Sequence, residues 1–331
     1  MKPSFHRALI TAIGVLAAAD AFGPASAQPA RAPGSAAKKP EERKGPSALP
    51  PAPRKEFDAA KEELADKKRD EAIEQLKRII PRIQDGTPQK ADLLFQLSEL
   101  YWEKQRYLAL KANLRFSDEI ARVAQARERG ERLPDPKLDV RQSEQYRSET
   151  MRLYEAILRD YPAYARKDEV LFSLGYNLYE LGKRDEAIKR YEELSRNYPD
   201  SKFLADAYVQ LANHWFENNN LLKARENYEK ALKTNKPEIY AYALYKLAWC
   251  DYNAREYEAG LKRFQGVVDY AEKHGRELSD LKTEALRDMV VTYARLNRAK
   301  DAVEYFRAKA RKQFQSLLIS RLADELSDAG Q

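Results

Sequence analysis

Residues 171–201 read LFSLGYNLYELGKRDEAIKRYEELSRNYPDS, and this stretch decides the fold. Its apolar residues recur at helical spacing: Leu171, Leu174 and Leu178, then Ala187, Tyr191 and Leu194. Gly182-Lys183 interrupts the pattern, which predicts two helices joined by a short turn. Gly182 suits the left-handed close of the first helix, and Asp185-Glu186 suit the positive start of the second. Tyr198-Pro199-Asp200 stops the second helix, because proline lacks an N–H and disfavours α geometry just before it. Two antiparallel helices approach closely only where side chains are short. Gly175 and Ala187 are therefore expected to face each other at the crossing, with Leu174 and Tyr191 filling its flanks. A leucine at Gly175 would overpack that crossing at a cost of ~1–3 kcal/mol.

Weaker copies of the pattern run along the chain. A unit from Asp168 places Leu171, Leu174, Gly175, Leu178, Ala187, Tyr191, Leu194 and Pro199. One from Ala205 gives Tyr208, Leu211, Ala212, Trp215, Ala224, Tyr228 and Ala231, with Pro237 one place late. One from Ala241 gives Leu244, Leu247, Ala248, Gly260, Phe264 and Val267, and one from Thr283 gives Leu286, Met289, Val290, Tyr293, Ala302 and Phe306. This order of Leu-Gly, aromatic, Ala, aromatic and Pro resembles the tetratricopeptide repeat, a 34-residue helix pair. The resemblance covers about 57–310 and implies an all-α fold, a right-handed superhelical solenoid of helix pairs.

Two units nearer the start are degraded. Ala60, Ala72, Leu76 and Ile79 fit one with a poor first helix. In the other, Leu94, Leu97, Ser98 and Tyr101 supply the first helix, and Thr150, Tyr154, Ile157 and Pro162 the second. Ser98 and Thr150 are 52 residues apart where the family has 12, an excess of 40. Residues 102–149 are rich in helix formers and broken by GERLPDPKLD at 130–139. They are read as a hairpin insertion in which both helices run on past the solenoid to a Pro-rich tip. Residues 313–331, with Phe314, Leu317, Leu318, Leu322 and Leu326, form a last amphipathic helix that caps the solenoid or faces a partner; capping is favoured.

The ends carry different signals. Residues 1–27 look like a secretory signal: Lys2, His6 and Arg7, an apolar run from Ala8 to Ala19, then Ala25-Ser26-Ala27 for cleavage. An uncleaved anchor is the other reading. No cysteine lies just after the run to carry a lipid. Residues 28–55 hold seven of the sixteen prolines and no aromatic residue, and are read as a disordered tether. The chain is +7; residues 1–27 contribute +1 and 28–55 contribute +5, leaving +1 for 56–331. The basic excess is thus not on the folded part, which argues against a nucleic-acid partner. A weak contact between the tether and anionic envelope polymers is open beside plain solvation.

Chemistry-bearing motifs are scarce. Cys250 is the only cysteine, so no intramolecular disulfide or cysteine metal site is expected. His214 and His274 are the only histidines after the signal, too few for a metal site without carboxylate help. There is no phosphate loop or nucleophile elbow. No catalytic residue, cofactor or metal is expected. Cys250 and the neighbouring pair His214 and Trp215 are read as core.

By family analogy the first helix of each pair lines the concave groove. The places carried over include Glu169, Phe172, Tyr176, Tyr179 and Glu180; then Asp206, Val209, Asn213, Phe216 and Glu217; then Tyr242, Tyr245, Lys246, Trp249, Tyr252 and Asn253; then Glu284, Arg287, Val291 and Arg295. The candidate protein-binding groove is Phe172, Tyr176, Tyr179, Asn213, Phe216, Tyr242, Tyr245, Trp249 and Tyr252. Tyr and Trp suit a protein or peptide surface, though roughly half of these rings are expected to pack between repeats. Members that bind chaperone tails use a two-carboxylate clamp. Phe172 and Val209 stand where clamp residues would, so that mode is not expected.

The phrasing of residues 168–183 and 206–232 also resembles deltaproteobacterial envelope repeat proteins, among them components of the myxobacterial gliding-motility machinery. This implies a periplasmic scaffold, with association to the outer membrane left open, that holds envelope proteins or peptide segments in its groove or on its hairpin. The alternative is a cell-wall or outer-membrane assembly factor of the kind that accompanies the Tol–Pal system. Such factors often begin with a coiled coil, and residues 56–80 show no sustained heptads. A soluble ligand-binding module would need a closed pocket.

Overall fold

A computed structural model of the chain describes residues 59–328, so the expected signal and tether lie outside the described residues. The described residues contain helices and no strand, and none of the helices is long and apolar enough to cross a membrane. They divide into two compact units, 59–203 and 204–328. Each is an all-α solenoid segment built from antiparallel helix pairs.

The first unit holds α1 (Ala59–Ile79), α2 (Pro88–Glu128), α3 (Arg141–Asp160), α4 (Lys167–Glu180) and α5 (Arg184–Asn197). The second holds α6 (Leu204–Glu217), α7 (Leu221–Ala231), α8 (Pro237–Asn253), α9 (Tyr257–His274), α10 (Ser279–Arg295), α11 (Ala299–Lys309) and α12 (Lys312–Asp328). The pairs are α2 with α3, α4 with α5, α6 with α7, α8 with α9, and α10 with α11. The repeated large residues of the second helices, Tyr191, Tyr228, Phe264 and Phe306, are fully buried.

The turns within four pairs share one geometry. Gly182, Asn219, Arg255 and Asn297 stand at the same place in their units and have φ of +74°, +58°, +64° and +52°. In each turn the next residue's N–H reaches back five residues: Lys183 to Leu178 at 3.0 Å, Asn220 to Trp215 at 2.8 Å, Glu256 to Asp251 at 2.8 Å and Arg298 to Tyr293 at 3.1 Å. This is the Schellman closure, which needs a left-handed residue and favours glycine or asparagine. Arg255 is the misfit. Arg255→Gly is expected to raise stability by about 1 kcal/mol in urea unfolding, and Asn219→Gly by much less.

The small residues lie where the helices cross, with one correction. At Gly175 the nearest group is the ring of Tyr191, which the spacing puts on the flank: a Cβ there would stand 2.8 Å from Tyr191 Cε1. In the α8–α9 pair the small residues do oppose each other, since a Cβ on Gly260 would stand 3.0 Å from the Ala248 carbonyl oxygen. In the α2–α3 pair Thr150 Oγ1 lies 3.5 Å from the Ser98 carbonyl, across 52 residues of sequence, and both residues are fully buried.

The insertion is asymmetric. α2 runs for 41 residues, whereas α3 has 20 and begins only at Arg141. Thr87 caps α2, accepting from Lys90 N at 3.4 Å, and Pro88 opens its first turn. Gly130 ends it at φ +77°, and residues 131–140 return without helix. Pro134 and Pro136 forbid helix there. Ten non-helical residues can reach up to about 33 Å, as far as about 22 helical ones, so a short leg can match the long helix. Ala126 and Val123 are buried, and Arg127 pairs with Asp135.

Two further expectations are corrected. The first degraded unit is a single helix, α1, that packs on α2; Ile73 and Ile80 are buried, while Ile79 is 44% exposed. Trp215 and His214 are half-buried rather than core, with the Lys223 ammonium 4.0 Å above the Trp215 ring. At the far end α12 packs on α10 and α11, burying Leu318 and Leu322 and leaving Leu317 exposed.

Candidate protein-binding face

In the first unit, Phe172 and Tyr176 project from α4 and are both buried. Phe172 stacks on Phe203 at 5.3 Å and tilts against Tyr191 at 5.7 Å. Tyr176 meets Trp102 of α2 edge-on at 6.5 Å, and the Arg106 guanidinium lies 4.8 Å over Trp102. Tyr179 is half-buried beneath Arg184, 5.4 Å away.

In the second unit the other six residues come from α6 and α8, and their polar ends are engaged within the chain. Asn213 Oδ1 accepts from Tyr228 at 2.6 Å and from Tyr242 at 3.2 Å. Tyr245 and Trp249 both donate to Asp288 Oδ2 of α10, the latter at 3.1 Å. Tyr252 lies 5.4 Å from the Trp249 ring and accepts from Arg295 Nε at 3.4 Å. Phe216 lies under the Lys246 ammonium at 4.0 Å.

Eight of the nine predicted groove residues are therefore buried, at 0–7% exposure, where roughly half were expected to be. The reason is local. In the second unit a first-helix position that faces the groove also abuts the first helix of the adjacent pair, so a large ring fills that seam, while Phe172 and Tyr176 pack on Phe203, Tyr191 and Trp102 within the first. The rings act as a hydrogen-bonded frame tying α6 to α8 and α8 to α10. The most accessible side chains beside that frame on α10 are Arg287, stacked 5.2 Å over Phe314, and Arg295.

Sequence reasoning missed two residues here. Asp288, the acceptor for Tyr245 and Trp249, lies one turn after Glu284 on α10. The other is Glu99, on α2 at the place equivalent to Tyr176. Shifting the Asp168 register by 77 residues, which aligns Leu94 with Leu171, would have found it. Glu99 Oε1 accepts from Tyr154 at 2.7 Å, and its Oε2 is buried with no hydrogen-bond partner.

Burial dominates the electrostatics. It pushes the Glu99 carboxyl up to about 8, against the Tyr154 hydrogen bond. It holds Asp288 above the usual carboxylate range despite its two donors, and lowers the Lys246 ammonium to about 8. It also pushes the fully buried Cys250 thiol up to about 12. Cys250 is thus a small core residue. Under native conditions its alkylation by iodoacetamide is expected to track global unfolding, with a rate that rises steeply only in denaturant.

Among the described residues, no group of three or more His, Cys, Asp or Glu could hold a metal ion. No curated protein matches the chain. Thirty solved chains match it. One is the crystal structure of MamA, 16% identical with a TM-score of 0.41, over 57% of this chain and 94% of that one. The tetratricopeptide repeat family matches at residues 169–201 and 242–273, which fall on α4–α5 and α8–α9. The chain therefore carries tetratricopeptide repeats.

Proposed function

We propose that this chain is a non-catalytic periplasmic scaffold that holds another protein within a bacterial envelope complex. Tetratricopeptide repeats support a protein-interaction role. The observation that carries the reading is the face of α8 and α10. There an internally hydrogen-bonded ring frame fixes the backbone, and Arg287 and Arg295 stand exposed beside it. A rigid platform binds a partner without ordering cost to itself. The periplasmic reading is supported by the signal-like pattern of residues 1–27, and a gliding-motility setting by the resemblance of residues 168–183 and 206–232 to envelope repeat proteins. A Tol–Pal-associated role is the second reading, favoured by the same signal and the same fold.

The test compares capture from envelope extracts by the wild-type chain and by Arg287→Glu/Arg295→Glu. The variant gives up the Arg295–Tyr252 hydrogen bond and the Arg287 stack on Phe314, so a melting curve accompanies each capture, and Arg287→Lys/Arg295→Lys, which keeps both charges, should retain the protein that the glutamate variant loses. Equal capture by both, or none by either, counts against this face. Motility-channel proteins among the captured bands favour the first reading and Tol–Pal components the second. Recovery of the tagged chain from the cytoplasmic fraction alone would overturn the periplasmic placement.

A further inference from the structure

α1 is held to α2 in two different ways along its length. Its second half is anchored by apolar packing, with Ile73 buried, Leu76 packed against the same cluster and Ile80 just beyond the helix. From residue 61 to residue 70 no side chain is buried, and Leu64 is 57% exposed. The described contacts of this half with α2 are made by charged groups. Lys104 Nζ donates to Asp66 Oδ2 at 2.7 Å and to Asp70 Oδ2 at 2.9 Å. Arg69 Nε donates to Glu103 Oε2 at 3.3 Å, and its other end holds Asp66 at 2.7 Å.

Beneath this half lies a built surface on α2. Lys104 is 7% exposed, and the Tyr107 ring beside it has Arg69, Lys104 and Lys111 around it at 5.9, 6.0 and 5.5 Å. Lys111 stands two turns beyond Lys104 on the same face, and no described carboxylate pairs with it. Asp66, Arg69 and Lys104 are shielded while Asp70 and Glu103 are open to water, and opening rehydrates all five, so the desolvation cost of the closed state offsets much of their attraction. Three helical turns without packing are marginal.

We propose that the first three turns of α1 are a displaceable strap. The ledge beneath them, Glu103, Lys104, Tyr107 and Lys111, is a docking site for a partner helix that carries two carboxylates one turn apart. α1 is the template, since Asp66 and Asp70 reach Lys104 from exactly that spacing. A longer acidic helix gains Lys111, which α1 leaves without a carboxylate, and that difference lets a partner compete with a tethered segment. The proposal rests on the scaffold reading only in taking the partner to be a protein, and its test needs no envelope extract.

Hydrogen exchange on the full chain comes first. Amides of residues 61–70 should exchange about 100-fold faster than those of 73–79. Equal protection of the two halves overturns the strap. A labelled peptide of residues 59–79 is then titrated into the full chain and into Asp66→Asn/Asp70→Asn. It should bind the variant about tenfold more tightly, because the variant's own strap competes less. Adding Lys104→Met to that variant should abolish binding, and a peptide carrying both asparagines should bind neither chain. No binding to the strap variant, or binding that survives Lys104→Met, overturns the ledge. All acceptors keep Ile73 and Ile80, and matching melting curves confirm that they are folded.

Discussion

Gly260→Val is expected to destabilise the chain by about 3 kcal/mol, the upper part of the range for overpacking a tight helix crossing. The residue sits in α9 where that helix crosses α8. A Cβ there would stand 3.0 Å from the Ala248 carbonyl oxygen, 3.4 Å from Tyr252 N and 3.6 Å from Asp251 Cβ. Two of those three neighbours are backbone atoms of a buried helix, which cannot step aside as a side chain can. The Tyr252 N–H and Ala248 C=O also belong to α8's own ladder, so displacement strains hydrogen bonds as well as packing. Gly266→Ala, six residues on in the same helix, is the control. Its Cβ would meet only Leu244 Cδ2, at an ordinary 3.4 Å. It should gain roughly 0.5–1 kcal/mol from helix propensity alone. Urea unfolding of the two variants should therefore give shifts of opposite sign. A Gly260→Val midpoint equal to wild type would mean that α8 and α9 do not cross there.

The second large effect is a pH dependence centred on Glu99. Its carboxyl titrates near 8 in the folded chain against 4.5 in the reference state, because burial disfavours the charge. A group whose folded pKa is raised binds its proton more tightly when folded. Its contribution is complete below pH 4.5, declines as pH rises from 4.5 to 8, and is flat above that. The loss across the window is on the order of 3–5 kcal/mol. Glu99→Gln keeps an oxygen for the Tyr154 hydroxyl and carries no charge. It should match wild type near pH 4.5 and be more stable by most of that amount near pH 8.5, measured by urea unfolding at a series of pH values. A wild-type minus variant difference that does not change with pH would show that Glu99 does not titrate in this window. The neighbours that modulate it are Glu169, which raises it, and Arg166, which lowers it. Arg166 is itself bonded to Glu169 at 3.0 Å, so the two largely cancel.

The helix pairs were legible because the repeat writes its constraints into residue size. A left-handed turn calls for Gly182, and a close crossing calls for Gly260 with Ala248 or Ser98 with Thr150. These constraints are local, or recur at a fixed offset, so spacing alone exposes them. That the Tyr191 ring comes closest to Gly175 was not legible. How near a ring comes to a glycine depends on the rotation of α5 about its axis, which residue size does not fix. The hairpin was legible as an excess of 40 residues. Its asymmetry was not, because prolines at 134 and 136 mark where helix is forbidden and leave open how far each flank continues.

The candidate face was legible only as a set of positions. Family register names the side of a helix, and it places Tyr242, Tyr245 and Trp249 on α8, where the first bonds back to Asn213 of α6 and the other two forward to Asp288 of α10. It carries no information about reach. Asp288 takes the Tyr245 hydroxyl and the Trp249 indole because α10 packs close enough to offer a carboxylate, a fact that belongs to the spacing between pairs. Exposure therefore falls to Arg287 and Arg295, whose long side chains clear the seam that the rings fill.

The unequal legs of the insertion give α2 a mechanical character. As a continuous rod of 41 residues it is about 60 Å long, and roughly two-thirds of it lies beyond Trp102. A tilt of about ten degrees at its root would sweep the far end through about 7 Å over a 40 Å lever arm. The ten-residue return segment has no helical ladder to break, so it follows such a swing by small rotations about its own bonds. A load applied at Gly130 would thus be felt at Glu99 and Trp102, with the force multiplied and the travel divided.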